Sequence, residues 1–199
     1  MPIDTPAGAL AAANRKATSP IGRTIPGYAV PVIDERAVRA AAGILFLLGG
    51  AAFAFAVSTG STRPLQPFGM FFMIDMMIRV VVGDRWSPTL ALGRLIVRGQ
   101  QPEWVGAPQK AFAWWLGFAL AVTSCTVMGF FAAPLWVTLA LCGLCLTILF
   151  LETAFGICVG CLLHSRFSSQ PTLYCPGGTC EVPQTAQDAA GDSPDPARP

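Results

Sequence analysis

Four stretches of the chain carry almost no charge, and their spacing predicts the architecture. Residues 40–57 hold no charged side chain and begin directly after Arg39. A second uncharged run covers residues 111–133, directly after Lys110. Pro134 then imposes a tight turn, and residues 135–151 follow without a charge. That last helix is expected to continue past Glu152 to about Cys161. A bilayer-crossing helix needs about 20 apolar residues, so each of these three runs predicts a span. Between the first two lies a shorter run, residues 67–82, interrupted by Asp75 and Arg79. It is read as a further span, second in chain order, because an even number of crossings makes the distribution of cations consistent.

That distribution is one-sided. With four spans, one face receives Arg15, Lys16, Arg23, Arg36, Arg39, Arg85, Arg94, Arg98, Lys110 and Arg166, whereas the other receives Arg63. Lys and Arg are retained on the cytoplasmic side, so both termini are expected on the inner side of the plasma membrane. Trp114 and Trp115 open the third span, where interfacial aromatic anchors belong. Between spans two and three, Leu92, Leu95 and Ile96 share a helical face, and Arg94 and Arg98 stand four apart. Two readings stay open for this helix. It lies on the inner leaflet with its arginines toward headgroups, or it packs on the bundle as an ordinary surface helix.

Composition agrees. Charged residues make up 12% of the chain and hydrophobic ones 53%, against roughly 25% charge in soluble domains. A net charge of +2 argues against a nucleic-acid partner. Residues 1–33 read as a flexible cytoplasmic lead without a cleavable signal, and residues 34–166 as the membrane domain. Residues 167–181 form a cysteine-bearing tail, and residues 182–199 a Pro-, Ala- and Asp-rich disordered end. The expected fold is therefore all-α: a polytopic bundle of four transmembrane helices with a cytoplasmic amphipathic helix between spans two and three.

Candidate chemistry falls in two places. The first is the pattern C-x2-C-x13-C-x4-C formed by Cys158, Cys161, Cys175 and Cys180, with His164 one turn beyond Cys161. Two thiol pairs on a short linker suit a tetrahedral zinc site, in which His164 could replace one sulfur. A C-x-x-C in a reducing compartment also suits a working dithiol that exchanges with a thioredoxin-like or sulfur-carrier protein. Buried, inert cysteine is the third reading. On a helix running to Cys161 the pair would sit near a C-terminus, where the dipole disfavours a thiolate; that expectation tilts toward metal binding or slow exchange.

The second place is inside the membrane. Asp75, Arg79 and Glu152 are the charges expected within spans, where such residues face the bundle interior. Asp75 and Glu152 come out at similar depths, about 12–14 Å from the inner edge, at 1.5 Å rise per residue. One cluster is expected, with Arg79 between the two carboxyls, acting either as a lock between spans two and four or as a proton or ion position. Cys142 and Cys145 form a deeper C-x-x-C. On one straight helix they sit about 24 Å from Cys158 and Cys161 and are rotated by about 160°, which excludes direct exchange between the pairs. They and Cys125 are read as small packing residues.

No Ser-His-Asp set, phosphate loop, dinucleotide fingerprint or H-E-x-x-H occurs, so no catalytic set or organic cofactor is assigned. Three roles remain open: a thiol-redox or sulfur-handling membrane protein, a non-enzymatic one with a structural zinc site, and a small oligomeric transporter subunit.

Three stretches carry a family resemblance: Glu35-Arg36-Ala37-Val38-Arg39, then Pro102-Glu103-Trp104-Val105-Gly106-Ala107-Pro108-Gln109-Lys110, then Glu152-Thr153-Ala154-Phe155-Gly156-Ile157-Cys158-Val159-Gly160-Cys161. Together they resemble the bacterial membrane family called domain of unknown function 4395, over about residues 33–180. The resemblance implies a membrane protein and no particular reaction. A shorter form of that family lacks the Cys-Pro-Gly-Gly-x-Cys stretch found here at Cys175 to Cys180.

Overall fold

The computed structural model describes residues 21–167, apart from Gly27, Ala29 and Ala132. Four helices are long and apolar enough to cross a membrane. The first, α1 (Glu35–Thr59), starts at Asp34, whose side chain accepts a hydrogen bond from the Arg36 N–H at 3.1 Å. It ends at Gly60 in the left-handed region. The second is α2 (Leu65–Met77), which continues as a π-helical turn, Ile78–Val82. Together these 18 residues reach about 27 Å, close to the hydrocarbon thickness of about 30 Å. A 3-10 turn (Asp84–Trp86) leads into α3 (Pro88–Ile96), capped by Ser87. The third span is α4 (Ala107–Gly129), and the fourth is α5 (Leu135–Phe150) with its own π-helical turn, Leu151–Phe155. A short helix, α6 (Val159–Phe167), follows.

The architecture is the all-α polytopic bundle expected, with one small addition. Strand β1 (Val32–Asp34) pairs antiparallel with β2 (Trp104–Gly106), matching Ile33 to Val105. This ribbon precedes α1 and α4 directly, so it sets the starts of those two spans side by side. Ile21 is buried and Arg23 bridges to Val32, which folds part of the N-terminal lead onto the ribbon.

The core runs along the middle of the bundle through Ala41, Leu45, Phe72, Met76, Trp114 and Leu149. Small residues let the helices approach: Gly49 of α1 faces Phe68 of α2 and Leu146 of α5. Large apolar side chains cover the outside, including Leu47, Phe55, Phe71, Trp115 and Leu144, as lipid contact requires.

Two expectations are corrected here, for Trp114 and for the end of the fourth span. Trp114 is no lipid anchor: it turns inward, buried, with the Arg79 guanidinium 5.3 Å from its ring centroid, while Trp115 stays outside. Helix α3 packs on α1, with Gly93 against Ala37 and Ala41, and buries Thr89 and Leu90, while Leu92, Leu95 and Ile96 face outward. Its Arg94 pairs with the buried Asp84. The fourth span does not run on to Cys161. It stops at Gly156, where the backbone enters the left-handed region at φ 67°.

Candidate functional site

The break at Gly156 decides the setting of the C-x-x-C pair. A side chain there would be strained by the positive φ and would meet the Arg39 guanidinium at 3.3 Å. Arg39 donates to the Thr153 carbonyl at 3.2 Å and so caps the end of the span. Helix α6 begins three residues later, with Cys158 immediately before its first residue. The Cys161 N–H donates to Cys158 Sγ at 3.2 Å, and the Leu162 N–H donates to the Cys158 carbonyl at 3.0 Å. Cys158 therefore sits at a helix N-terminus, the reverse of the position expected from the sequence. There the dipole and free N–H groups favour a thiolate. Cys158 and Cys161 are joined by a disulfide with Cα atoms 5.1 Å apart.

Helix α6 is held tightly against α4. A Cβ at Gly160 would fall 2.5 Å from both the backbone and the side chain of Ala113. This contact turns Cys158 inward, where it is 8% exposed, and leaves Cys161 partly exposed. His164 falls one turn further along α6, and Cys175 and Cys180 lie outside the described residues.

The intramembrane charges form two networks instead of one. In the first, Arg79 pairs with Asp75 at 2.8 Å. Ser87 donates to Asp75 at 2.7 Å and Thr89 does the same, also at 2.7 Å. Arg79 donates in turn to both hydroxyls. All four side chains are buried, and the network binds α2 to the start of α3.

Glu152 belongs to the second network, so the expected Asp75–Arg79–Glu152 cluster is divided. Lys110 reaches Glu152 at 2.9 Å and Glu35 at 2.8 Å. Lys110 and Glu35 are each 1% exposed, whereas the Glu152 side chain is 15% exposed. One ammonium thus ties α1, α4 and the end of α5 together. The reason is local: β1 pairs with β2, which brings Glu35 and Lys110 to the same level. Arg79 and Glu152 each lie in a π-helical turn, a distortion that often accompanies functional positions.

Two cavities adjoin these groups. One of about 60 Å³ is lined by Arg79, Trp114, Cys145, Glu152, Cys158 and Gly160, among others. It has room for about two waters at a liquid share of about 30 Å³ each. The other, of about 30 Å³, is lined by Cys125, Cys142 and Cys145. Phe72 and Cys145 contribute to both walls. The turn at Gly156 brings Cys158 back to a cavity that Cys145 also lines, although the ten residues of helix from Cys145 to Phe155 still span about 15 Å. Among the described residues no group of three or more His, Cys, Asp or Glu is placed to hold a metal.

A family model matches residues 33–168. The chain belongs to the family described as "Domain of unknown function (DUF4395)". No curated protein and no solved structure matches it. The DUF4395 match takes in both ionic networks and the Cys158–Cys161 pair, and ends before Cys175.

Sequence reasoning missed Glu35, Lys110, Ser87 and Thr89 as partners within the DUF4395 region. Lys110 was counted as a flank because the uncharged run starts at Ala111. Pro108, at the first turn of α4, was the available signal that the helix starts earlier and carries Lys110 inside.

Proposed function

We propose that this protein is a membrane thiol–disulfide exchange protein with Cys158 and Cys161 as its working pair. The observation that carries the reading is the N-terminal position of Cys158 on α6, with the Cys161 N–H on its sulfur. A donor and a helix dipole both stabilise the thiolate, which is the better leaving group and the nucleophile of exchange. Cys161 is the more exposed of the two, so it meets the partner. A partner thiolate attacks Cys161 Sγ, the Cys158–Cys161 bond breaks, and Cys158 leaves as thiolate. Cys158 or a second partner thiol then resolves the mixed disulfide. The partner class is a soluble dithiol protein, thioredoxin-like or sulfur-carrying, on the cytoplasmic face. The cationic side of the molecule, with Arg36, Arg39, Arg85, Arg94 and Arg98, supports that orientation.

The test is a trap. In full-length Cys158→Ser protein in membrane vesicles, a reduced soluble dithiol protein offered with mild oxidant is expected to remain bound to Cys161. Unchanged exchange in this variant, or no mixed disulfide at Cys161, would sink the reading.

Zinc is the second reading, favoured by the spacing C-x2-C-x13-C-x4-C. It requires the reduced pair together with Cys175 and Cys180, and His164 as an alternative ligand. Protein purified under reducing conditions would then carry one zinc per chain, lost in a Cys175→Ser, Cys180→Ser variant. The third reading, transport, gains little support, because the Asp75–Arg79 network is closed on itself by Ser87 and Thr89.

A further inference from the structure

We infer that Cys145, Cys142 and Cys125 form an intramembrane thiol relay that carries the disulfide inward from Cys158. The inference rests on the exchange reading above and extends it from the membrane surface into the bundle.

Three observations support it. Cys158 is the inward-facing member of its pair and lines the larger cavity together with Cys145. Cys145 is also part of the wall of the smaller cavity, which Cys142 and Cys125 complete. Cys125 stands four residues before the end of α4 at Gly129, about 6 Å from the far end of that span. The described cysteines thus form an ordered series from one end of the bundle almost to the other. None of the three inner cysteines is in a disulfide.

The chemistry balances within the chain. Glu152, about 10.5 Å further along the fourth span and on nearly the same face, lines the same cavity, and the Cys145 proton passes to it by way of water in that cavity. The Cys145 thiolate attacks Cys158 Sγ. The Cys158–Cys161 bond breaks, and Cys161 leaves as thiolate and takes up the proton. Cys142 then attacks Cys145 Sγ, and Cys158 departs as a thiol with the proton from Cys142. The net result is a Cys142–Cys145 disulfide and a Cys158–Cys161 dithiol, a transfer of two electrons and two protons from Cys142 and Cys145 to Cys158 and Cys161. Cys125 exchanges onto Cys142 in the same way, releasing Cys145 and moving the disulfide across to α4. The turn at residues 156–158 is the hinge, and the cavity gives Cys158 space to move.

The experiment uses full-length Cys161→Ser protein in native membranes, with Cys142, Cys175 and Cys180 also changed to Ser so that a Cys145–Cys158 link is not resolved. Mild oxidation with diamide, followed by peptide mass spectrometry, is expected to find a Cys145–Cys158 disulfide, absent when Cys145→Ala is added. Cys145→Ala removes one sulfur at a packing position and is expected to leave the bundle folded; thermal unfolding in detergent checks this. In a second arm, unmutated protein oxidised at Cys158–Cys161 is left in the membrane without other thiols, then alkylated differentially. Free Cys158 and Cys161 with protected Cys142 and Cys125 are the expected outcome. A folded Cys161→Ser protein that forms no Cys145–Cys158 link, or a disulfide that never leaves Cys158–Cys161, overturns the relay. Exchange with a soluble dithiol protein is scored separately in a Cys125, Cys142 and Cys145→Ala variant. If it persists while the relay fails, only the relay is lost; if it is absent from unmutated protein, the exchange reading falls.

Discussion

Lys110 stands where three of the four spans meet. It is buried and satisfies two carboxylates on two other spans. Losing one partner of a buried pair costs about 3–5 kcal/mol, because the remaining charge is left in low dielectric. Lys110→Met strands both Glu35 and Glu152, whereas Glu152→Gln leaves Lys110 on Glu35 and keeps a hydrogen-bonding group in place. Thermal unfolding in detergent is expected to rank Lys110→Met well below Glu152→Gln, and the reverse order would contradict the assigned network. At the other network, Asp75→Ala strands Arg79 and two hydroxyls and belongs in the same range of about 3–5 kcal/mol. Replacing both partners by apolar residues, Asp75→Leu with Arg79→Met, is expected to recover part of that loss.

The residues visible in the sequence at this scale were those that interrupt an apolar run. Asp75, Arg79 and Glu152 stand out for that reason, and Asp75–Arg79 was predictable as an i, i+4 pair. Glu35 and Lys110 border their runs and so look like ordinary flanking charges. Their contact depends on a pairing of three-residue strands 70 positions apart, which no local periodicity encodes.

At the scale of the element, the decisive feature is the break after Phe155. Alanine at Gly156 requires a non-glycine residue at positive φ, at roughly 1–2 kcal/mol, and displaces the Arg39 cap. Gly160→Leu acts differently. It leaves the break intact but wedges α6 off Ala113, so Cys158 loses its inward position. Gly160→Leu is therefore expected to make Cys158 markedly more reactive toward a small maleimide in reduced membranes, with little change at Cys161. Equal labelling of Cys158 before and after the change would argue that the Gly160–Ala113 contact does not hold α6. The break was hard to read from the chain, since Phe-Gly-Ile-Cys is as apolar as the span before it. Hydropathy locates a span without marking where it stops. A single glycine inside a helical pattern is tolerated as often as it ends one.

For the whole molecule, the four spans and their alternating directions were legible because lipid demands long uncharged runs. The side on which they begin is proposed from charge. Chain direction puts the ribbon, α3 and α6 at one end of the bundle and the connection at residues 60–64 at the other. Among the described residues that opposite end holds Arg63 as its sole Lys or Arg, and the first end holds Arg23, Arg36, Arg39, Arg85, Arg94 and Arg98. An excess of that size on short connections sets the orientation during insertion. If the cationic end is cytoplasmic, Cys161 meets the reducing compartment, where a dithiol works by cycling and not as a fixed crosslink. The relay would then point outward, toward Cys125 and the external face. Thr59→Cys and Gln101→Cys test this together, because both positions are exposed and lie at opposite ends. In intact cells a membrane-impermeant maleimide is expected to label the cysteine at position 59 above background, and the one at position 101 only after lysis. The opposite labelling would invert the molecule, place Cys158–Cys161 in an oxidising compartment, and require its partner to be an extracytoplasmic thiol protein.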